Sequence, residues 1–205
     1  MRSILVILNI TILIVLGIFA KDNLLAKFNL LTPSEIPNSG SIEVVFSPNN
    51  GATAAIIKAL DEARESVLVS AYSFTSQDLA HALLEAKKRN VLVRLILDKS
   101  QLSQRYSSSR FFRNQGFDLR IDVKHAIFHN KVMIIDDITV ITGSFNFTKA
   151  AESKNAENLL VIRNNPQLAR LYKQNWLFHW NQSLPVESYF ERKAQAEVTA
   201  DSILR

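Results

Sequence analysis

The sequence predicts an α/β fold, a mixed β-sheet packed between helices. Two observations predict it. Short runs rich in β-branched and aliphatic residues recur along the chain, among them "VLVSAYSF" (67–74), "VLVRLILD" (91–98) and "NLLVIRN" (158–164). Between several of them stand longer segments whose apolar residues return every three or four positions, the spacing of one helix face. Strands alternating with helices build a sheet with helical layers against it.

Taken in order, "IEVVFS" (42–47) reads as the first strand. "PNNGATAAIIKALDEARES" opens with turn residues and continues as a helix, with Ala55, Ile56, Ala59, Leu60 and Ala63 on one face. After the strand 67–74, "SQDLAHALLEAKKRN" is a helix with Ser76 as its N-cap. Residues 91–98 form a strand, 104–115 a helix ending at Gly116, and "DLRI" a short strand. Two apolar runs, Val132 to Ile135 and Ile138 to Ile141, flank an Asp136-Asp137 turn, and 158–164 follows as a further strand. "PQLARLYKQNWLFHWNQ" (166–182) starts with proline in its first turn and is an amphipathic helix. Its Trp176 and Trp180, four apart, belong to the core. Residues 183–205 read as a peripheral, charged tail.

The chain's first 41 residues stand apart from this pattern. Ile4 to Ala20 is an apolar stretch of 17 residues, interrupted clearly only by Asn9 and Thr11. That is long for a signal-peptide core and short for a spanning helix. Residues 1–20 therefore read as an export signal or an uncleaved membrane anchor. The remainder lies outside the cytoplasm, exported to the periplasm or secreted, or held at the inner membrane through residues 4–20. Residues 21–41, with "LTPSEIPNSGS", read as a linker. Residues 42–182 are then the folded domain.

Composition narrows the function. The 205 residues are 47% hydrophobic and 21% charged, as in ordinary globular chains. There is no cysteine, which excludes disulfides, thiolate metal sites and a cysteine nucleophile. The net charge of +5 and a pI near 9.5 favour a polyanionic partner.

The chemistry is concentrated in "HNKVMIIDDITVITGSFNFTKAAESKNAENLLVI" (129–162). His129 and Lys131 are two apart, and so are Ser144 and Asn146. On a strand, residues i and i+2 point to the same side. Two neighbouring strands joined at Asp136-Asp137 bring both pairs to one rim. An imidazole, a fixed cation and neutral donors then surround a pocket suited to a tetrahedral oxyanion such as a phosphodiester. Singly, each residue is ordinarily just a polar side chain on a strand. Their joint spacing, with Gly143 and Glu157, is what marks a site.

The pattern His129-x-Lys131-x4-Asp136-x6-Gly143-Ser144-x-Asn146 resembles the HKD signature of the phospholipase D superfamily. "AYSFTS", "EAKKRNVLVRLILD" and "TGSFNFTKAAESKNAEN" extend the likeness to the small, single-motif exported endonucleases of its bacterial branch, over roughly residues 42–182. The resemblance implies a phospholipase D-like mixed sheet flanked by helices on both faces. It implies that His129 attacks phosphorus and forms a phosphohistidine. Lys131 and Asn146 would hold the non-bridging oxygens, and Ser144 would donate a further hydrogen bond. Glu157 would orient the imidazole. Asp136, of opposite parity to His129, and Gly143 would be structural, Asp136 through charge pairing. The reaction needs a second histidine as general acid, and the chain has one motif. Single-motif relatives therefore imply a homodimer with one composite site, without metal or cofactor.

Lys124, Arg105, Arg110 and Arg113 precede the motif and are candidates for contacting a phosphate backbone. His125 reads as a neighbouring substrate contact or a structural residue, and His81 and His179 as structural. Lys87, Lys88 and Arg89 suit the C-terminal end of their helix. The functional readings are a metal-independent phosphodiesterase on DNA or RNA, a phospholipase D-type hydrolase of phospholipid head groups, and a non-catalytic nucleic-acid-binding module. The intact motif disfavours the last.

Overall fold

The computed structural model describes residues 35–37 and 39–203. The apolar segment 4–20 and most of the 21–41 linker lie outside the described residues. The strands are β1 (Ser41–Ser47), β2 (Ser66–Ala71), β3 (Leu92–Asp98), β4 (Asp118–Asp122), β5 (Lys131–Ile135), β6 (Thr139–Gly143), β7 (Glu157–Arg163) and β8 (Leu184–Pro185). The helices are α1 (Ala52–Glu62), α2 (Gln77–Lys88), α3 (Ser109–Asn114), α4 (Lys149–Ser153), α5 (Pro166–Gln182) and α6 (Val186–Ile203). The strands join in one sheet, ordered β1-β7-β6-β5-β2-β3-β4-β8. β2, β3 and β4 run parallel, and every other neighbour is antiparallel. This is the mixed sheet with helices on both faces that the alternation predicts.

Strand alternation divides the core. Val67, Val69, Leu95, Leu97, Met133 and Ile141 face α1 and α2, where Ile56, Leu60, Leu79 and Leu83 are fully buried. Leu68, Ile96, Ile134 and Val140 face α5 and pack with Ala169, Trp176 and Trp180. The two indoles stack at 4.7 Å, and Trp176 Nε1 donates to the carbonyl of Val69 at 3.0 Å. Local chemistry explains the helix starts. Ser76 accepts from the amide of Leu79, and Asn165 accepts from Leu168 just ahead of Pro166. The α1 N-terminus has no side-chain cap of its own, so Glu152 of α4 reaches across to accept from Gly51 N and Thr53 N.

Two sequence expectations change. The helix expected over 104–115 is confined to α3, Ser109–Asn114, and the turn ahead of it, Lys99–Leu102, is a 3-10 turn outside that range. Asp98 accepts from Ser100 N, Ser103 Oγ donates to the carbonyl of Ser100, and the amide of Ser108 bonds the carbonyl of Phe74. These short polar side chains divert the backbone from a continuous helix. The tail expected to be peripheral from 183 starts inside the domain. Leu184 and Pro185 pair with Ile121 and Arg120 of β4, and Val186 is buried in the core. Proline is tolerated there because β8 is an edge strand.

The β5–β6 connection is a two-residue hairpin turn in which Asp136 and Asp137 take φ of 51° and 56°. Positive φ at both central residues matches the right-handed twist of the flanking strands. Asp136 uses its carboxylate to accept from the amides of Arg64, Glu65 and Ser66 at 2.8–2.9 Å. Its partners are thus backbone amides rather than the charged side chain expected. It is Asp137 that pairs with a charge, the ammonium of Lys173. Replacing Asp136 with alanine is expected to cost about 1–3 kcal/mol, because three N–H groups lose a charged acceptor. A urea melt checks this, with Asp136→Asn expected in between. An unchanged midpoint for the alanine chain would show that water replaces the carboxylate without loss.

Candidate active site

The topology gathers the motif at one edge of the sheet. That edge carries the C-terminal ends of β1, β2, β3, β4 and β6 and the N-terminal ends of β5 and β7. The registers fix it: Ala71 lies opposite Lys131, Val132 opposite Thr142, Gly143 opposite Leu159, and Ser47 opposite Glu157. Strand ends of this kind are the usual ligand-binding edge of α/β sheets.

His129 is exposed just before β5, and its ring packs against Tyr72 at 4.7 Å. Lys131 is buried, only 7% exposed. Its Nζ donates to the carbonyl of His129 at 2.7 Å and lies 5.2 Å from the Tyr72 ring. Burial pushes the Lys131 ammonium below the ordinary lysine value, and the attraction of Glu157 opposes that shift. The lysine is thus a fixed cation, tied to the segment that carries the histidine.

Gly143 is required sterically. At φ of 151°, a Cβ there would stand 2.2 Å from the carbonyl oxygen of Asn158. Without it, β7 closes in, and the same oxygen accepts from the amides of Ser144 and Phe145 at 3.1 and 3.3 Å. The Ser144 hydroxyl donates to Glu157 Oε2 at 2.6 Å and accepts from Asn158 N at 3.0 Å. Its single proton is therefore engaged inside the protein, which departs from the expected hydrogen bond to a phosphate. Glu157 departs too. Asn155 Nδ2 donates to its other oxygen at 3.0 Å. Both carboxylate oxygens are held by neighbours, and among the described residues no hydrogen bond joins Glu157 to His129. Asn146 is different. Its Oδ1 is buried without a hydrogen-bond partner, and among the described residues its Nδ2, the donor a phosphate oxygen would need, makes no hydrogen bond either, so this amide is not consumed by the fold.

The outlying candidates separate. Lys124 and Arg110 are exposed. Arg113 makes a two-pronged pair with Glu187 at 2.7–2.8 Å and lies over the Phe190 ring, so its charge is already matched at the surface. Arg105 lines a cleft of about 900 Å³ with Tyr106, His81, Phe111, Lys149 and Glu152. His125 turns its ring to Asp122, at 2.9 Å. Lys87 donates to the carbonyls of Gln115 and Gly116, and Arg89 to that of Leu60, as helix-end cations. Sequence reading missed Tyr72, Asn155 and Asn158. Tyr72 and Asn158 reach the motif because β2 lies beside β5 and β7 beside β6, which no local pattern states, whereas Asn155 sits only two positions before Glu157.

A family model described as "Cardiolipin synthase, PLD-like domain" matches residues 56–180. The chain belongs to the phospholipase D superfamily. The fold is similar to that of Nuc from Salmonella typhimurium, a phospholipase D family member. That match has a TM-score of 0.69 and 43% identity, over 72% of this chain and 98% of that one. A protein named phospholipase D from Rickettsia conorii is 42% identical over 70% of this chain and 71% of its own length. A mitochondrial cardiolipin hydrolase from Danio rerio is 30% identical over 78% and 68% respectively. The protein is accordingly a hydrolase, a phosphodiesterase of that superfamily.

Proposed function

We propose that the protein cleaves phosphodiester bonds in DNA or RNA with little sequence preference, as an endonuclease using a phosphohistidine on His129. The observation that carries the chemistry is the joint placement of an exposed imidazole, a buried lysine and an unspent asparagine amide at one sheet edge. In the first step an imidazole nitrogen of His129 forms a bond to phosphorus while the bond to the leaving oxygen breaks. That oxygen takes a proton from His129 of the partner subunit. In the second step the same partner imidazole removes a proton from water, whose oxygen displaces the histidine. Lys131 and Asn146 face the charge that develops on the non-bridging oxygens. Glu157 offsets the Lys131 charge, and with Ser144 it holds β6 and β7 in place.

The nucleic-acid reading rests on the basic balance of the chain, its likeness to Nuc and the cleft holding Arg105 and Lys149. The cleft's Thr75 and Lys149 each lie three residues beyond site residues Tyr72 and Asn146. A second reading, hydrolysis of phospholipid head groups, is favoured by the names of the Rickettsia and Danio relatives and by an apolar residue beside the site, Ile127, 56% exposed. Incubation with plasmid and with phospholipid vesicles, both in chelator, separates the two. Nicked plasmid with intact vesicles is the expected result, and the reverse would replace the first reading with the second.

The working unit is a homodimer. Along the edge strand β1, Ile42, Val44 and Phe46 are 48%, 52% and 61% exposed, an apolar stripe that runs toward the catalytic edge at Ser47. A second copy of the chain suits such a stripe and supplies the missing histidine. Residues 1–20 direct export to the periplasm or beyond, or anchor the domain outside the inner membrane. Among the described residues no helix is long and apolar enough to cross a membrane.

Turnover is expected to survive excess chelator, because lysine and histidine supply the charge and proton transfer that a metal supplies elsewhere. Measuring nicking in EDTA checks this. Complete loss, restored by a divalent ion, would overturn the mechanism.

A further inference from the structure

A second cluster of ligating side chains stands beside the catalytic edge and has no part in the phosphodiesterase mechanism. Asp122 ends β4, His125 lies in the loop between β4 and β5, and His179 lies in the last turn of α5. One ligand atom from each lies within 4.8 Å of those of the other two. We propose that Asp122, His125 and His179 bind a divalent transition cation of the zinc class, which ties the end of α5 to the end of β4 and adds stability without entering the reaction.

Three observations carry this. The Asp122 carboxylate is fully buried, and among the described residues its one ion-pair partner is His125. A carboxylate so placed needs compensating positive charge. The Nδ1 of His179 is buried without a hydrogen-bond partner among the described residues. Buried nitrogens of this kind are rare unless something else binds them. Two imidazoles and a carboxylate are ligands that zinc accepts, with a fourth position left to water.

The geometry requires small movements. Metal–ligand bonds of about 2.0–2.1 Å put tetrahedral ligand atoms about 3.3–3.4 Å apart. The widest separation must close by roughly 1.4 Å, within reach of side-chain rotation. The Asp122–His125 contact, 2.9 Å between Oδ2 and Nδ1, opens slightly as the cation replaces the shared proton, which passes to solvent. Two hydrogen bonds already hold the loop. Lys99 Nζ donates to the carbonyl of His125 at 2.9 Å, and the amide of Phe128 donates to Asp98 at 2.7 Å. The loop and α5 also meet through the rings of Phe128 and His179, 5.3 Å apart. That packing is the alternative explanation of the cluster, and it needs no cation. None of the three ligands belongs to the proposed nucleophile or oxyanion set, so the proposal stands or falls apart from the phosphodiesterase reading.

The test is zinc titration of the full chain, stripped with chelator and dialysed, by calorimetry and thermal melting. One equivalent per chain is expected, with proton release and a raised melting temperature. His125→Gln and His179→Gln should each weaken binding by at least the roughly 10–100-fold that loss of a group hydrogen-bonded to a ligand costs, and should remove the thermal shift. His129→Ala should keep both. Should either glutamine chain fail to fold, cobalt substitution in the wild type gives an independent answer. An intense visible spectrum of four-coordinate nitrogen and oxygen ligation supports the site, and the pale spectrum of hydrated cobalt overturns it. No binding near one equivalent, binding unchanged in the folded glutamine chains, or binding lost in His129→Ala would each overturn the proposal.

Discussion

Replacing His129 with alanine is expected to lower turnover by roughly four to six orders of magnitude, the scale on which removing an enzyme's nucleophile acts. The fold should hardly notice. His129 is exposed, and its main structural tie is the Lys131 ammonium on its backbone carbonyl, which alanine keeps. Only the ring contact with Tyr72 is lost, so stability should change by no more than about 1 kcal/mol. Two measurements check this together: a single-turnover assay and a thermal melt. Rapid alkaline quenching adds a third, since acid-labile phosphate on histidine should be trapped in the wild type and absent from the variant. Near wild-type activity would refute covalent catalysis. A loss of only about 10²–10³-fold would reassign His129 from nucleophile to proton carrier, within the usual scale of acid–base help.

The sheet was legible because it is written in local patterns. The β5–β6 hairpin needs two apolar runs and a turn that accepts positive φ, and residues 132–141 supply all three in ten consecutive positions. The start of α5 was legible for the same reason, since Asn165 and Pro166 are adjacent in sequence and act within one turn. What escaped was set at long range. The pairing of Leu184 with Ile121 spans 63 positions, and nothing in "SLPVE" announces a strand. In the site, spacing revealed the residue types but not which polar group each would face. Ser144 and Glu157 are 13 positions apart and meet because Gly143 lets β7 close in. That contact takes up the serine proton and one carboxylate oxygen, so the proposed mechanism assigns the substrate oxygens to Asn146 and Lys131. His125 and His179 likewise looked like unrelated polar residues until the end of α5 was laid against the end of β4.

A mixed dimer of one wild-type and one His129→Ala subunit is expected to lose most of its activity rather than half. In the proposed mechanism one histidine bonds to phosphorus and another protonates the leaving oxygen and then activates water. Each chain supplies a single His129 in the motif, so a dimer holds two such histidines and one complete site. In the proposed dimer the axis passes close to His129, and symmetry makes the two imidazoles equivalent until substrate binds. The mixed dimer keeps one of them. If it serves as nucleophile, the leaving oxygen departs without an acid; if it serves as acid, nothing attacks phosphorus. Either way the shared site is impaired, at a cost of about 10²–10⁴-fold even when only acid–base help is lost. Two independent sites would behave differently, with the wild-type half working unimpeded at 50% of the parent rate. Co-expressing the two chains with different tags and purifying through both isolates the mixed species. Its specific activity on plasmid is then compared with that of each parent dimer. Half activity, or a fully active monomer in sedimentation, would rule out the composite site.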